Sequence, residues 1–422
     1  MVKQNDRIVI QNAQLRGSDG LRNVVIEDGV VASITENDPG SGSTTFDAGG
    51  GLVTESFTNA HLHLDKVFTL AAFGDKALKE YQGEGMGNAL RGIETAADVK
   101  RSQNATEMLD VAIRSLAMAA FYGNTHVRAL ADVDSKAGTR GVEVLCAARA
   151  QFAGIVDVQV VAFPQDGILR EPGTLELLTR SMELGADVVG GIPWVELSEG
   201  DMKAHVEHVF DIAVAHDADV SMLLDDAGDP GLRTLEMMAL EAIDRGWTGR
   251  ALAHHCRAMK LYPEPYFERL VALLRQADVS VVSDPHTGPL HARVDALMRE
   301  GVNVILGQDD ISDAYYAFGR NNMSEVAFLG CHLLWMMTVE GQESLYDAVT
   351  TNGAQGMNIP DHKLAEGNPA NLVVHEATDV TDVLRFHAPP RMVISHGVVV
   401  DRSRMADLGK IPLTERGGLE AT

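Results

Sequence analysis

Short apolar segments rich in valine and isoleucine alternate with amphipathic helical patterns through the middle of the chain. The strand candidates are residues 126–131, 156–163, 188–192, 220–224, 251–255, 279–283 and 302–307, together with the segment that leads into His61. The helical patterns cover residues 106–122, 174–184, 202–216, 232–245 and 263–276. Because parallel strands need long crossover connections, eight such units predict a closed (β/α)8 TIM barrel. The functional residues of these barrels lie at the carboxyl ends of the strands.

Both ends of the chain carry short β patterns and glycine turns instead. They cover residues 7–10, 24–26 and 30–34 at one end, and residues 370–374 and 391–400 at the other. We predict an α/β fold in which residues 55–367 form the catalytic barrel, and residues 1–54 and 368–422 together form a small composite β-sandwich domain. A Gly- and Met-rich segment, residues 82–92, interrupts the first βα unit. This segment is either a mobile lid or a plain exposed loop.

The composition limits the cellular locations and the binding partners that we expect for this protein. The chain has 422 residues, of which 45% are hydrophobic, and a net charge of −25. No apolar run reaches the length of a membrane span, and the three widely spaced cysteines (Cys146, Cys256 and Cys331) argue against a disulfide framework. The negative charge disfavours nucleic acid and anionic membranes as partners. We therefore expect a soluble, cytoplasmic protein with a small-molecule substrate, and homo-oligomerisation remains open.

Residue types that commonly bind metals occur at the ends of the predicted strands. His61 and His63 end the first strand, and the spacing of two residues places both imidazoles on one face. His254 and His255 end the sixth strand, and Asp309 ends the eighth. A catalytic mononuclear site needs three protein ligands and one open position. His61, His63 and Asp309 can supply those ligands for one divalent ion, with zinc and iron both suited to two imidazoles and a carboxylate.

Longer motifs around these positions carry a family resemblance. They are His61-Leu62-His63-Leu64-Asp65, the sequence Phe-Pro-Gln-Asp-Gly-Ile-Leu at 163–169, the segment 184–193, and Gln308-Asp309-Asp310 followed by Asp313, Tyr315 and Gly319. Over nearly its whole length the chain resembles the amidohydrolase superfamily. Within that superfamily it is most similar to the cytosine deaminase branch, which includes N-isopropylammelide isopropylamidohydrolase.

The resemblance implies a role for each matching residue. His61, His63 and Asp309 bind the metal, and Asp309 also takes a proton from the attacking water. His255 polarises that water, and Gln165 hydrogen-bonds the amide edge of the heterocycle. The implied activity is deamination, or amide or amine hydrolysis, at a C–N bond of a small N-heterocyclic compound.

The chain departs from the family pattern at two strand ends. In the family, the fifth strand ends with a metal-binding histidine and, three residues later, an acidic proton shuttle; here these positions are Leu223 and Asp226. In the second strand a family histidine is replaced by Leu130. The two leucines make the predicted pocket more apolar, and we expect them to contact the substrate.

Further pocket candidates follow the fourth, seventh and eighth strands. Asp284 and His286 place a carboxylate and an imidazole where the family has mostly neutral residues. A carboxylate close to an imidazole raises its basicity. Trp194 and Tyr315 are candidates for the pocket wall.

Three interpretations stay open at this stage. In the first, a metal remains bound, with Asp225, Asp226 or His255 as a fourth ligand, and the protein is a C–N hydrolase. In the second, little or no metal is bound and Asp226, Asp309, His255, Asp284 and His286 catalyse an elimination, isomerisation or ring opening. In the third, the barrel binds a small molecule without catalysis. We favour the hydrolase, because drift after loss of catalysis removes costly buried polar groups and the chain retains them.

Overall fold

The computed structural model describes residues 7–73, 78–79 and 104–416. Residues 82–92, predicted as a lid or loop, lie outside this part of the chain. The strands are β1 (Ile8–Leu15), β2 (Arg22–Glu27), β3 (Val30–Thr35), β4 (Thr44–Asp47), β5 (Leu52–Glu55), β6 (Phe57–Leu62), β7 (Asn124–Asp132), β8 (Asp157–Phe163), β9 (Val188–Gly191), β10 (Asp219–Leu224), β11 (Ala251–His255), β12 (Ser280–Ser283), β13 (Val304–Leu306), β14 (Leu372–Val374), β15 (Met392–Ser395) and β16 (Val398–Val399).

Helices connect most of the strands. They are α1 (Leu70–Phe73), α2 (Ala105–Phe121), α3 (Arg140–Phe152), α4 (Thr174–Glu183), α5 (Glu199–His216), α6 (Thr234–Asp244), α7 (Glu264–Ala277), α8 (Val294–Arg299), α9 (Met323–Leu333), α10 (Val339–Asp347), α11 (Thr351–Gly356), α12 (Val380–Phe386) and α13 (Arg402–Leu408). Several start where a polar side chain caps the first turn. Asn104, for example, accepts a hydrogen bond from the backbone N–H of Glu107 at the start of α2.

The strands β6 to β13 form an eight-stranded parallel sheet in sequence order. Its first and last strands meet through a parallel bridge between Leu62 and Asp309. The backbone N–H of Asp309 donates to the carbonyl of His61, and the backbone N–H of His63 donates to the carbonyl of Asp309, both at 2.9 Å. Ring closure therefore places Asp309 directly beside the two histidines of the first barrel strand.

Alternate residues of the barrel strands point to opposite sides, and β10 illustrates the consequence. Leu224 packs in the large core between strands and helices. Leu223 instead packs in a separate apolar cluster with Ile192 and Trp194. Burial of each such side chain contributes roughly 1.5–3 kcal/mol.

The second sheet takes its strands from both ends of the chain. Its order is β16-β15-β14-β5-β1-β2-β3, with β4 paired to β1. Apolar side chains from both chain ends, such as Ile10 and Ile394, pack in one shared core. The fold prediction, a (β/α)8 barrel with a small β domain built from both chain ends, is confirmed. Among the described helices, none has the length and apolar character that crossing a membrane requires.

Candidate active site

Three donor atoms from the first and last barrel strands converge on one point. The Nε2 atoms of His61 and His63 are 3.3 Å apart. Oδ1 of Asp309 lies 3.3 Å from Nε2 of His61 and 3.6 Å from Nε2 of His63. A tetrahedral metal with bonds near 2.1 Å keeps its ligand atoms about 3.4 Å apart. The triangle therefore has the dimensions of a divalent metal site.

The electrostatics of the three residues suit the same role. Burial lowers the pKa of His61 and of His63, so both rings are held neutral, which is the form that binds metals. Burial works against ionisation of Asp309, but the neighbouring basic groups His255 and Arg257 hold its pKa below the usual value. Two neutral imidazoles and one carboxylate form a donor set suited to zinc or iron.

Residues at the site adopt backbone conformations that are uncommon away from glycine. Asp225, His255 and Asp309 have φ values of 45°, 64° and 64°. They follow or end β10, β11 and β13, three strands that open on the same end of the barrel. Such left-handed residues cost free energy and are concentrated at functional sites, where the surrounding structure holds them.

His254 and His255 have different surroundings although they are adjacent. Nδ1 of His254 lies 2.9 Å from Nδ1 of His61, and its Nε2 lies 2.8 Å from Oγ of Ser221. His254 therefore positions the ring of His61 from behind. Nδ1 of His255 lies 3.1 Å from Oδ2 of Asp284, and Nε2 of His255 lies 4.0 Å from Oδ1 of Asp309. Although burial opposes it, the carboxylates of Asp226, Asp309 and Asp284 raise the pKa of His255.

Asp225, considered from the sequence as a fourth metal ligand, has a different role. Its Oδ1 accepts hydrogen bonds from the backbone N–H and the hydroxyl of Thr234, both at 2.7 Å. Its Oδ2 accepts from the backbone N–H of Leu235 and the hydroxyl of Tyr262. Asp225 thus caps the N-terminus of α6 and ties it to the loop after β11, and we drop it as a ligand.

Asp226 faces the site but is already engaged. Its Oδ1 accepts a hydrogen bond from Nη1 of Arg257 at 2.6 Å. Nη2 of Arg257 donates to the hydroxyl of Thr287 at 2.7 Å and lies 3.8 Å from Oδ2 of Asp309. Sequence reasoning missed Arg257. Its position two residues after the strand-end His255 was the available signal.

A small cavity opens above the donor atoms. Its lining residues are His63, Gln165, Ile192, Trp194, Leu223, Asp226, His255, Arg257, Asp309, Asp310 and Tyr315. The predicted wall residues Gln165, Trp194, Leu223 and Tyr315 are therefore brought together. Charged and apolar side chains both line this cavity, a combination suited to a small, partly polar ligand.

Gln165 is held by a lysine that the sequence analysis did not single out. Nζ of Lys66 donates to Oδ1 of Asp132 at 2.9 Å and to Oε1 of Gln165 at 3.1 Å. Burial works against the charge, but Asp132 and Asp65 raise the pKa of Lys66. Because the amide oxygen of Gln165 faces Lys66, its NH2 group is left to donate. The signal for Lys66 was its place directly after the His-Leu-His-Leu-Asp motif.

Three other predicted pocket residues do not line the described cavity. Leu130 is buried in the apolar cluster next to Leu223. Asp284 lies behind His255, as given above. Nε2 of His286 lies 3.1 Å from the carbonyl of Gln308, and its ring contacts the edge of Tyr316. These positions support the site from outside the cavity, so we revise their predicted substrate contact.

Known proteins share this fold and sequence pattern. The model of the amidohydrolase family matches residues 44–401. The chain belongs to the amidohydrolase family. Similar relatives are the N-isopropylammelide isopropyl amidohydrolase of a Pseudomonas species (25% identity over 93% of this chain and 96% of that protein) and the pterin deaminase of Rhizobium rhizogenes (26% identity over 92% and 90%). The structure of 5-methylcytosine deaminase from Klebsiella pneumoniae superposes with a TM-score of 0.86 at 31% identity, covering 93% of this chain and 97% of that one.

Proposed function

We propose that this amidohydrolase is a metal-dependent hydrolase that cleaves a C–N bond of a small N-heterocyclic compound. The supporting observation is the triangle of Nε2 of His61, Nε2 of His63 and Oδ1 of Asp309, with sides of 3.3 to 3.6 Å. The similar proteins are named for action on cytosine, pterin and ammelide derivatives, all nitrogen heterocycles.

His61, His63 and Asp309 would hold the metal. Members of the family use a divalent ion, zinc in one structural neighbour, and we propose zinc or iron here. A bound ion of this kind polarises the substrate and lowers the pKa of water towards neutrality. The surrounding protein buries the three donor side chains almost completely.

The carboxylates that line the cavity are the proposed proton-transfer groups. Oδ1 of Asp309 faces the imidazoles, so Oδ2 is the atom that accepts a proton from the attacking water. The proton taken from the water must reach the leaving nitrogen, and Asp226 is the proposed carrier that receives it and passes it on. Its hydrogen bond to Arg257 fixes its orientation towards the cavity. Positioned groups of this kind typically contribute about 10²–10⁴-fold to the rate.

Polar and apolar side chains of the cavity would both contact the substrate. The amide NH2 of Gln165 donates to an acceptor on the ring, because Lys66 occupies the amide oxygen. Leu223, Ile192 and Trp194 line the same cavity and offer an apolar surface. We propose a heterocycle that carries an apolar face or alkyl substituent.

The test is elemental analysis of protein purified without chelator or nickel resin, followed by a substrate screen. We expect about one zinc, iron or manganese per chain and release of ammonia or an amine from aminated or N-alkylated pyrimidines, triazines or pterins. Asp309→Asn should lower turnover about 10³-fold or more while the protein still folds. Asp295→Asn, an exposed site paired with Arg299, is the control.

Two results would overturn the proposal. The first is metal below about a tenth of an equivalent after the ion has been offered. The second is near-normal activity of Asp309→Asn.

A further inference from the structure

One polar group at the cavity has no partner in the described part of the protein. Trp194 lines the cavity and is 5% exposed. Its Nε1 atom is buried and has no hydrogen-bond partner among the described residues. An indole N–H can only donate, and a buried donor without an acceptor costs about 1–3 kcal/mol. The indole therefore needs an acceptor from a molecule that enters the cavity.

The apolar cluster around the indole offers no side-chain acceptor. Trp194 belongs to a cluster in which Ile192 and Leu223 also line the cavity. The other buried members of this cluster are Leu130, Val161, Phe163, Val188 and Val195. None of these side chains carries an oxygen or nitrogen atom. A ligand with an acceptor atom in the cavity would satisfy the N–H group, which the cluster itself cannot do.

Gln165 supplies a second donor to the same cavity. Its Oε1 accepts a hydrogen bond from Nζ of Lys66 at 3.1 Å, which leaves its NH2 group to donate. Gln165 follows β8 and Trp194 follows β9, and these two strands pair in the barrel. Two N–H donors from adjacent strand ends therefore border one small space.

A buried glutamate and a buried histidine join the two loops that carry these donors. Oε1 of Glu196 accepts hydrogen bonds from the backbone N–H groups of Ile168 and Leu169, at 2.6 and 3.1 Å. The same oxygen lies 2.8 Å from Nδ1 of His205 on α5. Nε2 of His205 accepts a hydrogen bond from the backbone N–H of Ile192 at 3.0 Å. The loop after β8 and the turn after β9 are thus tied to each other.

The histidine of this link has a defined protonation state. Because its Nε2 accepts from a backbone N–H, its ring proton lies on Nδ1 and is donated to Glu196. Burial lowers the pKa of His205 against the effect of Glu196, so the ring stays neutral. A Cβ atom at Gly191 would lie 3.2 Å from Nε2 of His205, so glycine lets the ring approach the strand closely. The two donors are therefore positioned before a substrate binds, which lowers the entropy that binding costs.

We propose that Gln165 and Trp194 act as paired hydrogen-bond donors that select heterocycles carrying an oxo group and a second acceptor, either another oxo group or an unprotonated ring nitrogen. An exocyclic oxygen projects beyond the ring edge, so it can reach a donor that is recessed among apolar side chains. A site built to hydrogen-bond a substrate group rejects an analogue that lacks it, because its own polar groups are then left unpaired. This inference rests on the proposed function, because it narrows the substrate class of the same site. It assigns Glu196 and His205 to positioning the donors.

The experiment follows the indole N–H signals of full-length protein, isotopically labelled at tryptophan, by NMR. The chain has three tryptophans, and two of them are internal controls. Nε1 of Trp247 already donates to the carbonyl of Ala218 at 3.0 Å, and Trp335 is 82% exposed. The probes are 5-methylcytosine and 4-amino-5-methylpyrimidine, which lacks the oxo group. Only 5-methylcytosine should move the Trp194 proton signal downfield, and neither control signal should follow. If the screen identifies another oxo-heterocycle as substrate, that compound and its analogue without the oxo group replace the probes.

Affinity measurements on matched variants test the same N–H group. Trp194→Phe keeps an aromatic ring but removes the donor, so it should weaken binding of 5-methylcytosine about tenfold or more, and binding of 4-amino-5-methylpyrimidine less than about threefold. Trp247→Phe is the control, because it removes an indole N–H from another place in the chain, and it should change neither affinity. Glu196→Gln should weaken binding of 5-methylcytosine more than binding of its analogue while metal content is unchanged, because it loosens both loops.

Any of three results contradicts this inference. The first is a Trp194 signal that stays in place when a compound that the protein turns over is added. The second is equal weakening of both probes by Trp194→Phe. The third is a preference, in the substrate screen, for heterocycles without an oxo group. The proposed function stands in each of these cases, and it fails separately if no aminated or N-alkylated heterocycle releases ammonia or an amine.

Discussion

Arg257 lies between two carboxylates of the site, 2.6 Å from Oδ1 of Asp226 and 3.8 Å from Oδ2 of Asp309. Both Arg257 and Asp226 are buried. A charge that loses its partner in such a place is poorly solvated, so breaking the pair costs more than the pair itself contributes.

Arg257→Met should therefore destabilise the fold by about 3–5 kcal/mol, because Asp226 would be left buried and unpaired. The double variant Arg257→Met with Asp226→Leu should recover most of that loss. Urea unfolding of the two single variants and the double variant measures the coupling. A destabilisation of the double variant equal to the sum of those of the two single variants would show that the two residues are not energetically linked.

Leu223→His tests whether the end of β10 still faces the metal. Leu223 lines the cavity, so an imidazole there should raise zinc affinity about tenfold or more. The matched control is Leu224→His, because Leu224 points into the core between strands and helices. That variant should lower stability without raising affinity. A gain in the control, or none in Leu223→His, would mean that the strand faces the other way.

Gln165→Leu tests the role of Gln165 in substrate recognition separately from metal binding. Loss of the amide donor should lower kcat/KM about 10–100-fold, mainly through KM, while metal content is unchanged. Lys66→Met should have an effect in the same direction, because Nζ of Lys66 fixes the amide oxygen. Steady-state kinetics on the substrate found by the screen measures both. Reduced metal content in either variant would instead assign the pair to the metal centre.

The parts of the site that the sequence predicts are those set by local pattern. Alternation within a strand places His61 and His63 on one face, and the repeating βα order brings Asp309 beside them. Local pattern does not predict the roles of Lys66 and Arg257, because their partners lie on other strands and contact them only after the barrel closes. Local pattern also cannot separate Asp225 from Asp226. The turn after β10, with a positive φ at Asp225, directs one carboxylate to a helix end and the other to the cavity.

Acid should destabilise the protein through His375, which is not among the donors of the proposed metal centre. His375 follows β14, with its ring against Phe57 and its Nε2 3.2 Å from the hydroxyl of Tyr346. Burial lowers its pKa from 6.5 to about 4. Because the folded state favours the neutral ring, His375 does not reduce the free energy of unfolding above pH 6.5. As the pH falls through 6.5 towards 4, protonation of this ring in the unfolded chain lowers the free energy of unfolding by about 3 kcal/mol in all.

The free energy of unfolding in urea between pH 7.5 and pH 5 measures this loss. His375→Gln should reduce the slope of stability against pH, because one buried group that resists protonation is gone. It should not abolish the slope, since burial also lowers the pKa of His126 and His362. His216→Gln, at the exposed end of α5, should keep the slope of the unaltered protein. An unchanged slope in His375→Gln would mean that this ring gains its proton in the folded state as easily as in the unfolded chain.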